Sequence, residues 1–316
     1  MTLSPKQTAF VFPGQGSQVV GMGKALAAEF PAARDTFAEA DSILGISLSG
    51  ICWDGPEAAL GETINTQPAL LTHSVAAWRV LMQELGDFIP LCVAGHSLGE
   101  FSALVAAGSL RFADAVRLTR ERGRVMTEAG RTRPGGMAAI LNLDTTILAA
   151  VCEQAARETG GVVQTANDNS PGQVVISGEA PALERAMALA LERGAKRAIR
   201  LNVSIASHSP LMEEAARQFA RSVDSTPLAD PRIPLIGNTT ARALHTAAEV
   251  MAEIKAQLTT SVRWVDSVRA MTTMGAATFV EIGSKDVLTG LLKRIDPQAR
   301  GIAAGEPEQV RAVPGV

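Results

Sequence analysis

The stretch from Leu91 to Glu100 constrains this chain more than any other. An apolar segment, Leu91 to Ala94, runs into Gly95-His96-Ser97-Leu98-Gly99, and a helical pattern follows from about Phe101 to Gly108. Strand, tight turn and helix in that order make a nucleophile elbow, from which the serine hydroxyl projects. The flanking glycines let the backbone double back. The next backbone N–H, on Leu98, points to where an attacked carbonyl places its negative charge. Ser97 is therefore the candidate nucleophile.

The remaining pattern agrees. A strand at Thr8 to Phe12 is broken by Pro13-Gly14-Gln15-Gly16, and helices follow at about Gly21 to Glu29 and Ala33 to Ile43. Gln67 to Glu84 carries apolar residues with a period near 3.6 and reads as a long buried helix. Further helices are expected at 101–108 and 112–129, and further strands at Leu235 to Gly237 and Thr278 to Ile282. Strands alternating with helices predict a mainly parallel sheet covered on both faces. Between about Gly136 and Leu201 the rhythm changes. Strands at Met137–Leu141, Val162–Ala166, Gln173–Ser177 and Lys196–Leu201, with helices at Thr145–Thr159 and Pro181–Arg193, give the ferredoxin-like order β-α-β-β-α-β. The expected organisation is α/β: a large subdomain of residues 1–133 and 204–316, with a small ferredoxin-like subdomain, 134–203, inserted in it.

With 47% hydrophobic and 19% charged residues among 316, the chain can bury a sizeable core. A net charge of −3 argues against a general nucleic-acid binder. Cys52, Cys92 and Cys152 lie far apart and form no C-X-X-C pair, so buried free thiols are expected and a zinc site or disulfide framework is not. The N-terminus lacks a signal-peptide layout and no apolar run approaches bilayer length, which predicts a soluble cytoplasmic protein without membrane contact. A nucleotide-binding reading of Gly14-X-Gly16 fails for want of a third glycine and a Walker lysine.

A serine nucleophile needs a base, and four histidines are available. His96 adjoins Ser97, but its side chain should point away in a tight turn, which suits a structural hydrogen bond. His73 lies inside an apolar helix pattern and reads as a core histidine; His245 sits in a polar stretch. His208, in Ser204-Ile205-Ala206-Ser207-His208-Ser209-Pro210-Leu211-Met212, falls where the insertion returns to the large subdomain, a natural cleft lip. The residues alone leave an ordinary loop role for it equally open.

Four motifs in order, Phe12-Pro13-Gly14-Gln15-Gly16-Ser17-Gln18, Gly95-His96-Ser97-Leu98-Gly99, Asn167-Asp168-Asn169-Ser170-Pro171-Gly172-Gln173 and His208-Ser209-Pro210-Leu211-Met212, resemble the malonyl-CoA:acyl carrier protein transacylase family. The chain is similar to it from about Thr8 to Ile295, and also resembles the acyltransferase domains of polyketide synthases. The resemblance implies a large α/β-hydrolase-like subdomain beside the ferredoxin-like one. It makes Ser97 the nucleophile, His208 its general base, and the backbone N–H groups of Gln15 and Leu98 the oxyanion hole. A glycine on each side of Gln15 lets that loop approach the substrate. Gln257, in Gln257-Leu258-Thr259-Thr260-Ser261-Val262-Arg263-Trp264, would orient His208 through its main-chain carbonyl. Arg122, in Arg120-Glu121-Arg122-Gly123-Arg124-Val125-Met126, would grip the free carboxylate of malonate, which a planar guanidinium can hold through two parallel hydrogen bonds. Asn169 would line the site or merely form a turn before Ser170-Pro171-Gly172; Met126 and Ser207 are further lining candidates.

The implied reaction is ping-pong transfer from malonyl-CoA to the phosphopantetheine thiol of acyl carrier protein, serving fatty-acid synthesis, with no metal or redox cofactor and a monomeric enzyme. Because such carriers are acidic, Arg193, Lys196, Arg197 and Arg200 are candidates for a docking patch, with scattered solubilising charge the plainer reading. The alternatives are a trans-acting polyketide synthase acyltransferase, a serine hydrolase clearing acyl groups from carriers, and a non-catalytic docking module. Arg122 weighs against the hydrolase, because neutral acyl chains have no use for a buried cation. Two departures stand out. Ser207 is small where many malonyl-selecting polyketide domains carry phenylalanine, which leaves selectivity against α-methyl groups open. Glu281-Ile282-Gly283-Ser284-Lys285-Asp286 lacks the family's Gly-Pro-Gly loop.

Overall fold

In the computed structural model, which describes residues 2–315, ten strands form two sheets. The larger contains β1 (Thr8–Phe12), β2 (Cys92–Gly95), β7 (Leu235–Ile236), β8 (Ala243–Leu244), β9 (Thr278–Glu281) and β10 (Arg300–Ala303), in the order β10-β9-β1-β2-β7-β8. All pairings are parallel except β7 with β8. Every residue of β1 and β2 is buried, as expected of strands with helices on both faces. Phe10, Phe12 and Val93 point into one layer, against Leu71, Val75, Phe101 and Leu104. Ala9, Val11, Cys92 and Ala94 point into the other, against Trp264, Val268 and Met271. The two-residue alternation of the strand thus divides these side chains between two cores.

The long buried helix runs from Thr63 to Leu85, beginning four residues before the periodic apolar pattern, and it accommodates Pro68 in its second turn. Proline has no N–H to offer the carbonyl one turn back, that of Ile64. Arg120 takes that carbonyl instead, its Nη1 donating to it at 3.0 Å. The helix expected from Gly21 begins only at Lys24, because Gly21 (φ 99°) and Gly23 (φ 74°) are left-handed and cannot continue a right-handed turn. His73 is fully buried in the long helix, with Nε2 against the Gly305 carbonyl at 2.9 Å, as a core histidine should be. All three cysteines are free and buried, their thiols pushed up to about 12 by burial.

The smaller sheet holds β3 (Gly135–Leu141), β4 (Val163–Ser170), β5 (Gln173–Glu179) and β6 (Arg197–Arg200) in the antiparallel order β4-β5-β3-β6. This is the ferredoxin-like arrangement. Helices Thr145–Thr159 and Ala180–Glu192 supply its own core, through Leu148, Val151, Leu183 and Leu189 packed on Ile140 and Ile176. Two register shifts in β4 let it serve a second partner: the Val262 N–H donates to Ala166 O at 2.8 Å and the Asp168 N–H to Val262 O at 2.9 Å. Gln164 Nε2 also donates to the His208 carbonyl at 2.7 Å. The edge of the small sheet is therefore bonded to the segments that carry His208 and its carbonyl partners. No described helix is long and apolar enough to cross a membrane.

Candidate active site

Ser97 sits at φ 51°, between the end of β2 and the helix Gly99–Ala106. A Cβ on Gly95 would overlap the backbone of Gly99, and one on Gly99 would overlap the Phe12 carbonyl, so only glycine allows so tight an approach. A side chain on Gly14 would likewise strike the His96 carbonyl. Gly14 is thus demanded first by contact between the Gln15 loop and the elbow, not by the substrate alone. Neither the Gln15 nor the Leu98 amide donates to a protein acceptor among the described residues. Both stay available for an oxyanion.

The Ser97 hydroxyl lies 2.9 Å from His208 Nε2. His208 Nδ1 donates to the Gln257 carbonyl at 2.8 Å and approaches the Thr260 carbonyl at 3.2 Å. Those acceptors require the proton on Nδ1, which leaves the Nε2 lone pair for the serine. His208 is 3% exposed, and like Ser97 it occupies the left-handed region, at φ 58°. Burial, then the charge of Arg122, push its pKa down to about 3, against the pull of the two carbonyls. At neutral pH it is an uncharged base.

Arg122, 1% exposed on the helix Phe112–Thr132, points at the same oxygen. Its Nη2 donates to Ser97 Oγ at 3.3 Å and to Gln257 Oε1 at 2.8 Å, and its Nη1 donates to Gln67 Oε1 at 2.9 Å. Burial lowers the guanidinium to about 10, partly opposed by the charge of Glu100, so it is still a cation at pH 7. Its Nε is buried and has no hydrogen-bond partner among the described residues. Gln257 therefore contributes twice: the main-chain carbonyl to His208 and the side-chain oxygen to Arg122.

Three residues here escaped the sequence reading. Gln67, in the long helix, holds Arg122 and donates to the sulfur of Met126 at 3.2 Å, so Met126 meets the arginine's environment through it. Asn238, two residues past β7, accepts the Ser97 N–H at 2.7 Å through Oδ1 and donates to Gly95 O at 2.7 Å through Nδ2. Glu100, buried, accepts the Asn238 N–H at 3.1 Å and the side-chain N–H of Gln257. Burial and the nearby Glu253 carboxylate raise Glu100 well above the usual carboxylate range, while those hydrogen bonds oppose the shift. Glu100 carried a signal: it is the lone charged residue in a wholly buried helix directly after the elbow.

Asn169 is a residue of β4 rather than of the turn that follows it; its Oδ1 accepts from His96 Nε2 at 2.7 Å. The turn-former reading is corrected accordingly, since the chain reverses only at Pro171-Gly172. His96 turns away from Ser97, and its ring also meets Trp264 edge-on at 5.6 Å. The Gln15 side chain is exposed and donates to Thr63 Oγ1 at 3.2 Å. Ser207 is partly buried beside His208. In the loop without Gly-Pro-Gly, Gly283 (φ 141°) and Lys285 (φ 65°) make the turn, and Lys285 Nζ reaches the Gly16 carbonyl at 3.5 Å. Arg193, Lys196, Arg197 and Arg200 are all exposed on or beside β6, an edge strand; Arg200 pairs with Glu184 at 3.1 Å.

Residues 9–304 match the acyl transferase domain family. A malonyl CoA-acyl carrier protein transacylase of Salmonella typhimurium is 46% identical over 306 residues, 97% of this chain and 98% of the relative. One from Bacillus subtilis strain 168 is 44% identical over 302 residues, 96% and 94% of the two chains. Among solved structures, a malonyl-transacylase in complex with its type II polyketide synthase acyl-carrier protein superposes with a TM-score of 0.94 at 42% identity, covering 98% of this chain and 99% of that one. An acyl carrier protein S-malonyltransferase of Vibrio cholerae superposes equally well, TM-score 0.94 at 44% identity, covering 97% and 99%.

Proposed function

This chain belongs to the acyl transferase domain family, and from that membership we propose that it transfers malonyl from malonyl-CoA to the phosphopantetheine thiol of acyl carrier protein. One observation carries the reading: the Ser97 hydroxyl lies 2.9 Å from a neutral imidazole and 3.3 Å from a buried guanidinium. His208 takes the proton as Ser97 Oγ attacks the thioester carbon. The Gln15 and Leu98 amides hold the oxyanion. The carbon–sulfur bond breaks, and coenzyme A leaves with the proton from His208. Malonyl-Ser97 then meets the carrier thiol, and the same steps run in reverse, the thiol proton passing to His208 and on to Ser97 Oγ. Arg122 pairs with the distal carboxylate throughout. The chain's own side chains and the two thiols account for every step, and the product supplies fatty-acid assembly.

Intact-mass spectrometry tests this. Brief exposure to malonyl-CoA should add one malonyl group to the protein, no group to Ser97→Ala, and the adduct should pass to holo carrier protein on mixing. An adduct that decays equally fast without carrier would mark a hydrolase instead.

The exposed basic residues at β6 fit an acidic carrier, and their removal gives a second test. Replacing Arg193, Lys196, Arg197 and Arg200 by glutamine should raise KM for carrier protein several-fold, the loss shrinking as salt is added, and leave KM for malonyl-CoA unchanged. Unaltered carrier kinetics would remove this face from consideration.

A further inference from the structure

We propose that Glu100 is a positioning residue for malonyl selection: its carboxylate fixes the side-chain amide of Gln257, and with it the acceptor that aims Arg122 at the acyl group on Ser97. The inference rests on the malonyl transfer proposed above and assigns a task to a buried acid that the reaction itself does not use.

Arg122 is surrounded by neutral acceptors. Its guanidinium touches the neutral oxygens of Gln67 and Gln257 and the Ser97 hydroxyl, and no described carboxylate lies within ion-pairing distance of it. A carboxylate on the guanidinium would compete with the malonyl carboxylate for the same donors. Glu100 stands one residue further back, on the far side of the Gln257 amide. Its oxygens reach the amide and leave the arginine's donors free.

Hydrogen-bond direction adds a second constraint. A glutamine amide presents an acceptor at one end and donors at the other, and its surroundings decide which end points where. The Nε2 of Gln257 faces two acceptors, Glu100 Oε2 and the Ser97 carbonyl at 3.0 Å. With both in place, the amide oxygen must face Arg122. The other Glu100 oxygen accepts the Asn238 N–H, and Asn238 holds the Ser97 amide. One carboxylate thus ties the acid-recognising arm of the site to the nucleophile's turn.

Two substitutions separate the chemistry of the acceptor from its position. In Glu100→Gln, a single acceptor and an NH2 group replace two acceptors where the Asn238 and Gln257 N–H groups converge. The Gln257 amide is then driven to turn its NH2 toward Arg122. Glu100→Asp keeps both carboxyl oxygens and withdraws them by one methylene. Adduct formation on Ser97 would be timed with malonyl-CoA and with acetyl-CoA, whose acyl group never engages the arginine. Both variants should cut the malonyl-to-acetyl rate ratio, Glu100→Gln by on the order of 10- to 100-fold, the value of a charge-assisted hydrogen bond. A merely structural role would slow both donors alike. An unchanged or increased ratio in Glu100→Gln would therefore overturn the inference, as would equal loss on both donors. If Glu100→Gln does not fold, the ratio in Glu100→Asp decides: a fall supports the assignment and no change refutes it. A wild-type chain that takes no malonyl would instead bring down the functional reading, and this inference with it.

Discussion

Arg122→Ala should lower malonyl loading of Ser97 by about 10²- to 10⁴-fold and acetyl loading by less than about tenfold, the effect of losing two charge-assisted hydrogen bonds. The guanidinium is buried and touches the nucleophile's oxygen, so an acyl chain ending in a carboxylate meets a cation that water cannot screen. An acetyl group makes no such contact and should feel only the repacking. The substitution also strands the side-chain oxygens of Gln67 and Gln257, each buried acceptor costing about 1–3 kcal/mol. Melting curves must therefore accompany the rates, and both donors must be compared on the same folded protein. Equal loss on the two donors would show that Arg122 organises the site without reading the substrate.

How much of this could be read beforehand differs by the kind of constraint. The elbow was legible because sterics force glycine at 95 and 99, and a local rule leaves a local trace. The small subdomain was legible because its strands are consecutive and pair with near neighbours, so its alternating pattern and turns carry the topology. His208 was only half legible. Its partners, Ser97 and the Gln257 and Thr260 carbonyls, are 111, 49 and 52 residues away, and only the resemblance named it over an ordinary loop histidine. Arg122 could not be told from Arg117, Arg120 or Arg124 by pattern, although one of these, Arg120, takes a helix carbonyl and another, Arg124, pairs with Glu121 on the surface. Glu100, Asn238 and Gln67 were missed because a buried polar residue is specified by its partner, and theirs lie on other elements. Short strands such as β8 and β10, at the sheet's edges, leave too few residues to show a period.

The pH dependence of Ser97 loading should differ between the two donors, with the malonyl reaction losing rate at higher pH than the acetyl reaction. An ordinary imidazole titrating near 6.5 would lose roughly 8-fold in its neutral form between pH 7 and 5.5. His208 is held near 3, so acetyl loading should be flat over that interval. Part of this depression is the charge of Arg122, which repels a second cation. A malonyl carboxylate paired with Arg122 cancels that charge, so His208 rises toward its ordinary value and becomes the stronger base only when an acid is bound. Its acid limb in the loaded complex moves upward with it. The fold sets the lower limit of the measurement. His73, His96 and His208 all bind protons more weakly folded than unfolded, so stability is intact above about 6.5 and falls as pH drops below it, by up to ~1.4 kcal/mol per pH unit for each. The depression of His208 from 6.5 to about 3 alone removes ~5 kcal/mol by pH 3, and His73 and His96 act in the same direction, so acetyl activity should vanish with the fold rather than with protonation of native His208. Single-turnover loading from each donor, with circular dichroism at every pH, separates the two. Superimposable profiles would mean that substrate binding at Arg122 does not reach the base.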